Sequence, residues 1–124
     1  MTEWYQKTIT LKSRKRGCYL ITDEVIGSIF EDLKKYKIGM CNMFILHTSA
    51  GLSINENCDP TVRKDMETVL NRLIPEGHHL YEHNDEGEDD MPAHVKSMLS
   101  GVSLNIPIQN GKLGLGTWQG IWLM

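Results

Sequence analysis

From Trp4 to Leu11 bulky and polar residues alternate, with Tyr5, Ile9 and Leu11 on one parity, and this predicts a half-buried strand. Lys12 to Arg16 reads as a basic turn, and Gly17 leads into a second short strand over 18–21. Thr22 stands where a helix N-cap belongs, with Asp23 and Glu24 in a favourable first turn. The helix predicted from Asp23 to about Lys37 repeats Ile26, Ile29, Phe30 and Leu33 at steps of three and four, a core-facing stripe, and Gly39 suits its C-terminal end. Met40 to Leu46 is an apolar run that fits a buried strand, followed by the polar turn His47-Thr48-Ser49-Ala50-Gly51 and a strand over 52–55. Asp59-Pro60 opens a second helix that runs to about Leu73, with Val62, Met66, Val69, Leu70 and Leu73 on its inner face and Pro75 and Gly77 beyond it.

A short strand is predicted within 78–84, then an acidic loop over 85–90. Pro92 opens a short third helix that Gly101 closes, and Val102 to Ile108 forms a strand that turns at Asn110-Gly111 into a hairpin. The last residues, through Trp118, Ile121 and Trp122, again read as strand. The expected fold is therefore α+β: mainly antiparallel strands in a sandwich, covered by two longer helices and one short one, in a single domain over residues 1–124.

Composition changes this picture little. With 40% hydrophobic and 23% charged residues in 124, the chain has the make-up of an ordinary globular domain. No stretch approaches the roughly 18 apolar residues of a spanning helix, and Met1 to Trp4 lacks the apolar core of a signal peptide, so a cytoplasmic protein with no membrane partner is expected. Cys18, Cys41 and Cys58 show no paired spacing and are read as reduced thiols. A net charge of −3 argues against a nucleic-acid partner bound through a broad basic face. The acidity is local: without the five acids of the 85–90 loop, bases outnumber acids.

Candidate chemistry gathers at the histidines. Neutral imidazole is a common ligand for zinc, and three ligands plus water is the usual plan of a catalytic zinc site, which points to His47, His83 and His94. Their spacing matches no compact motif such as HExxH, and hydrogen-bonding loop histidines account for them as well. The acidic loop, with Asp89 and Asp90, offers oxygen to a hard cation such as magnesium, or is simply solvated. Lys12, Arg14, Lys15 and Arg16 suit an anionic, phosphorylated ligand, or decorate a surface hairpin. Thr48 and Ser49 beside His47 suggest a hydroxyl nucleophile, but no GxSxG elbow accompanies them.

Several longer segments together resemble the YjbQ family, often labelled secondary thiamine-phosphate synthase. They are Arg16-Gly17 through Thr22-Asp23-Glu24-Val25, His47-Thr48-Ser49-Ala50, Asn55 through Arg63, Tyr81-Glu82-His83, Glu88 through Ser97, and Gly116 through Leu123. The resemblance covers essentially the whole chain. It implies a homotrimer that joins a pyrimidine diphosphate to a thiazole phosphate, with a small phosphorylated metabolite as partner. The alternatives are a metal-dependent hydrolase of a small phosphate or amide and a non-catalytic trimeric metabolite-binding protein. The resemblance raises His47, His83 and His94 as metal ligands, for zinc or magnesium, and as catalytic residues together with Glu56. Thr48, Ser49, Asn57, Asp59, Asp89, Asp90, Trp118 and Gln119 become the candidate ligand-binding set. Family members usually continue past Trp122-Leu123 into a final strand, which this chain is expected to lack.

Overall fold

The structure is a computed structural model and describes residues 2–124. In chain order its elements are β1 (Tyr19–Leu20), α1 (Thr22–Leu33), β2 (Ile38–Phe44), β3 (Leu52–Glu56), α2 (Pro60–Leu73), α3 (Asp90–Ser100), β4 (Ser103–Gln109), β5 (Lys112–Leu113) and β6 (Gln119–Leu123). They form two antiparallel sheets of three strands, β1-β6-β3 and β2-β4-β5, with three helices, so the fold is α+β. The sheets share one core: Leu52 from β3, Ile106 from β4 and Ile121 from β6 cluster with Ile21 and with Val25 of α1. Burying each such side chain stabilises the fold by about 1.5–3 kcal/mol relative to exposure. The Leu52 N–H donates to the Gly101 carbonyl at 2.9 Å, which ties β3 to the chain entering β4.

Strict alternation shapes β4, where Leu104, Ile106 and Ile108 point inward and Ser103, Asn105, Pro107 and Gln109 outward. Its hairpin to β5 turns at Asn110 and Gly111, whose φ angles of 51° and 76° are both left-handed, as a two-residue primed turn requires. Asp59 caps α2 as its sequence indicates, its carboxylate accepting the Thr61 N–H at 2.9 Å.

Other expectations need correcting. Residues 4–11 form no strand; Ile9 and Leu11 do pack against the core, so the alternation reports which side is buried and not whether a backbone partner is present. Thr22 does not cap α1. Ile21 occupies that position without a side-chain bond, and the Thr22 hydroxyl instead accepts the Ile121 N–H at 2.9 Å, fastening α1 to β6. Helix α1 ends at Leu33, and Phe30 of its predicted stripe is exposed. Gly39 lies inside β2 opposite Ile108 and is not a helix stop.

The apolar run of β2 is not buried on both sides. Strand β2 lies at a sheet edge, and Ile38, Met40 and Phe44 share an exposed face, while Cys41 and Met43 turn inward. No residue of α2 is fully buried: Val62, Met66 and Leu70 are half-buried, whereas Val69 and Leu73 are exposed. Residues 78–84 make turns, not a strand, held by Tyr81 Oη donating to the Pro75 carbonyl at 2.6 Å.

Candidate metal centre and the adjoining pocket

Helix α3 carries the centre because Asp90 and His94, one turn apart, share a face. Three contacts lock this helix against the 47–52 turn. Ser97, almost fully buried, donates from Oγ to the Ala50 carbonyl at 2.7 Å, His94 Nδ1 lies 2.9 Å from the Thr48 carbonyl, and the Leu52–Gly101 bond closes the far side. The approach is close enough to require Gly51: a Cβ there would come within 2.6 Å of Ser100 Oγ and 3.0 Å of the Gly101 carbonyl.

His83, from the preceding loop, completes the group. Its Nε2 lies 2.7 Å from Asp90 Oδ2, and His94 Nε2 lies 3.1 Å from the same oxygen. These two separations, 2.7 and 3.1 Å, approach the roughly 3.3 Å expected between donors on a tetrahedral zinc, and the ligand atoms of all three residues lie within 4.8 Å of one another. Because a carbonyl only accepts, the Thr48 contact places the proton of a neutral His94 on Nδ1 and leaves the Nε2 lone pair facing Asp90. Two imidazole nitrogens and a carboxylate oxygen thus converge on one point and need positive charge between them, from added protons or from a divalent cation. The titration trends agree. The Thr48 carbonyl, then Asp90, hold the His94 pKa above its ordinary value, and the hydrogen bond from His83 holds Asp90 below the usual carboxylate range.

His47, the third expected ligand, stands outside this group. Its Nδ1 accepts the Ser49 N–H at 3.0 Å, so the neutral ring carries its proton on Nε2 and has a donor, not a lone pair, to offer there. His47 and Ser49 line a cavity of about 280 Å³ together with Arg14, Lys15, Arg16 and Lys96. Asp89 and Glu67 add acidic groups, and Tyr19, Leu70 and Leu123 apolar surface. Burial pushes the Cys18 thiol in this wall up to about 11, which makes it a poor nucleophile at neutral pH.

The remaining expected residues meet elsewhere. Glu56, Asn57, Asp59, Trp118 and Gln119 gather at the far end of β3, about 13 Å along the strand from Leu52. Glu56 accepts the Cys58 and Asp59 N–H groups, each at 3.0 Å, and its carbonyl accepts Nε1–H of the buried Trp122. Asn57 donates from Nδ2 to the carbonyls of Thr117 and Gln119, both at 3.1 Å, and its own N–H donates to the Trp118 carbonyl. Gln119 Oε1 accepts the Gly116 N–H, and the Trp118 ring is exposed. None of these side chains contributes a donor to the His83–Asp90–His94 group. Lys96 belongs to no chemical motif, although its spacing from Asp89 and Ala93, seven and three residues, marks one flank of a helix.

A family model described as UPF0047 protein YjbQ-like matches residues 7–124. The UPF0047 protein YjbQ of Escherichia coli O157:H7 is 50% identical over 120 residues, covering 97% of this chain and 86% of that protein. The UPF0047 protein YugU of Bacillus subtilis is 39% identical over 117 residues, covering 94% of this chain and 85% of its own length. Among solved structures, an uncharacterized conserved protein of the same family from Clostridium acetobutylicum superposes with a TM-score of 0.79 at 40% identity, over 91% of this chain and 84% of that one. A conserved hypothetical protein from Thermus thermophilus gives a TM-score of 0.74 at 36% identity, over 86% and 79%. On this match over nearly its whole length, the chain belongs to the YjbQ/UPF0047 family.

Proposed function

We propose that this chain is a metal-dependent transferase acting on small phosphorylated metabolites, with His83, Asp90 and His94 as the residues that hold the metal. The observation that carries this reading is the convergence of two imidazole Nε2 atoms and one carboxylate oxygen within 4.8 Å. That donor set favours zinc over magnesium, which prefers oxygen alone. A divalent ion held by these residues would supply the positive charge that a departing pyrophosphate needs in the joining of a pyrimidine diphosphate to a thiazole phosphate. Around it, the Thr48 carbonyl fixes the tautomer of His94, Asp90 supplies the anionic ligand, and the exposed side of His83 leaves an approach from solvent. Three protein donors would leave a bound ion room for a water, and this supports hydrolysis as the second reading.

Zinc content of chelator-dialysed, zinc-reloaded protein tests the centre: one equivalent in the wild type and loss in folded His83→Ala and His94→Ala is the expected result. Pyrophosphate release that requires both substrates identifies the transferase, release from one substrate alone the hydrolase, and saturable binding without turnover a metabolite-binding protein. No retained zinc removes the metal reading.

Self-association accompanies this proposal. The exposed apolar face of β2 at a sheet edge supports assembly of copies, and the family resemblance implies a homotrimer. Sedimentation should show trimers that Phe44→Glu dissociates; a monomeric wild type would reject assembly. The free thiols of Cys18, Cys41 and Cys58 fit the reducing cytoplasm. No helix among the described residues is long and apolar enough to cross a membrane.

A further inference from the structure

The cavity beside the metal centre is a separate feature with its own chemistry. The cavity takes Ala93 and Lys96 of α3 and the N-cap residue Asp89, while the candidate metal group takes Asp90 and His94. Lys96 follows His94 by two residues, a rotation of about 200° round the helix axis. The 47–49 turn also joins the two places, turning its Thr48 carbonyl to His94 and contributing His47 and Ser49 to the cavity wall.

Not every charged group in the wall remains available. Arg14 is paired with Glu24 at 2.7 Å, and Arg16 with Glu67 at 3.1 Å and with Glu76. Lys15 and Lys96 make no salt bridge with any described residue, and Lys96 Nζ donates to the neutral Asn71 Oδ1 at 2.7 Å with two further protons to give. His47 adds the Nε2–H donor that its Ser49 contact leaves free. Three donors therefore come from three different segments without a free guanidinium fork. Such an arrangement suits a tetrahedral anion with several oxygens better than a planar carboxylate. Tyr19 and Leu70 supply apolar wall for the rest of the ligand, and about 280 Å³ sits at the small end of ligand cavities.

We infer that this cavity is a binding site for a small phosphate monoester, its phosphate held by Lys96, Lys15 and His47 and its body packed against Tyr19 and Leu70. The inference rests on the reading that the chain handles phosphorylated metabolites and adds a second anion seat apart from the metal. Transfer between two phosphorylated partners needs two such seats; hydrolysis needs one.

Phenyl phosphate is the probe, titrated into zinc-free and zinc-loaded protein and followed by amide NMR shifts. Saturable binding in both forms is expected, with the largest shifts at Gly17 to Tyr19 and at Ser49. Lys96→Met should weaken it at least about tenfold and leave zinc affinity unchanged, whereas Asp90→Asn should weaken zinc binding at least about a hundredfold and leave phenyl phosphate binding intact. Lys15→Gln, at an exposed position, should weaken binding severalfold and decides the matter if Lys96→Met fails to fold. Binding that disappears with zinc or in Asp90→Asn would place the anion on the metal and overturn the inference, as would unchanged affinity in folded Lys96→Met or no saturation at millimolar probe. Loss of zinc binding in the wild type with probe binding intact would remove the metal reading alone.

Discussion

Two polar clusters sit at opposite ends of the same architecture and use their side chains in opposite ways. At the far end of β3, Glu56, Asn57, Asp59 and Gln119 direct their oxygens and amides at backbone groups of their own chain, and the bonds are made. At the α3 end, the Nε2 atoms of His83 and His94 and Oδ2 of Asp90 face one another, three potential ligands round a shared point, with only His94 Nδ1 turned to a backbone carbonyl. The first arrangement finishes the fold. The second leaves a demand for positive charge that the described residues do not meet with a Lys or Arg. Residue type alone does not separate these roles; the direction of each hydrogen bond does.

Zinc affinity should separate the ends most sharply. Asp90→Asn keeps the shape of the side chain and removes its charge, so zinc binding measured by calorimetry should weaken at least about a hundredfold. Thermal stability of the metal-free protein should change little, since the isosteric amide keeps an oxygen that accepts from His83 at this half-buried position. A large drop in metal-free stability with zinc affinity retained would move Asp90 into the class of the Glu56 end.

Asn57→Ala should do the reverse. It leaves the Thr117 and Gln119 carbonyls without their side-chain donor, at a cost of about 1–2 kcal/mol in denaturant unfolding, with zinc affinity unchanged. Ser97→Ala sharpens the contrast, because it acts on the metal end from within the core. Losing the bond to the Ala50 carbonyl costs about 1 kcal/mol and loosens the turn that presents the Thr48 carbonyl to His94, so zinc should weaken about tenfold while phenyl phosphate still binds. If Ser97→Ala lowers stability and leaves zinc affinity intact, the Thr48 contact does not position His94.

Much of this was legible in the chain itself, for local reasons. Asp59-Pro60 and Asn110-Gly111 dictate a helix start and a primed turn through their own side chains and φ preferences, and both are found where expected. His83 and His94 were visible as metal candidates, together with His47, because imidazole suits metals, whereas Asp90 stood out only as one acid of the 85–90 loop; that it joins His94 follows from the i, i+4 step of a helix. What stayed hidden depends on distant partners. Nothing near Thr22 reveals that its hydroxyl serves Ile121, 99 positions away, instead of capping α1. Likewise the apolar residues of β2 do not disclose that only one face and one edge of the strand are covered. The motif Asn55 to Arg63 suggested a place in the ligand site, whereas Asn57 reaches across to the Thr117 and Gln119 carbonyls, and Glu56 closes the turn that leads into α2.

The smallest effect concerns the pH at which the braced end gives way. Asp59 accepts both the N–H and the hydroxyl of Thr61, and these bonds, the backbone one foremost, hold its carboxyl below the ordinary value near 3.9. With the folded pKa below the unfolded one, the contribution to stability is fully present above about pH 4 and is lost as pH falls through the folded value. Asp59→Asn still caps the helix and does not titrate, so its melting temperature should lie slightly below wild type at neutral pH, and the gap should close on acidification. Asp90 is also held below the carboxylate range, by His83, but protons there compete with a metal and not with a helix cap. Zinc added at pH 7 should therefore leave the Asp59→Asn gap unchanged while raising both melting temperatures together, and a gap that depended on zinc would show that the two ends of the molecule are coupled.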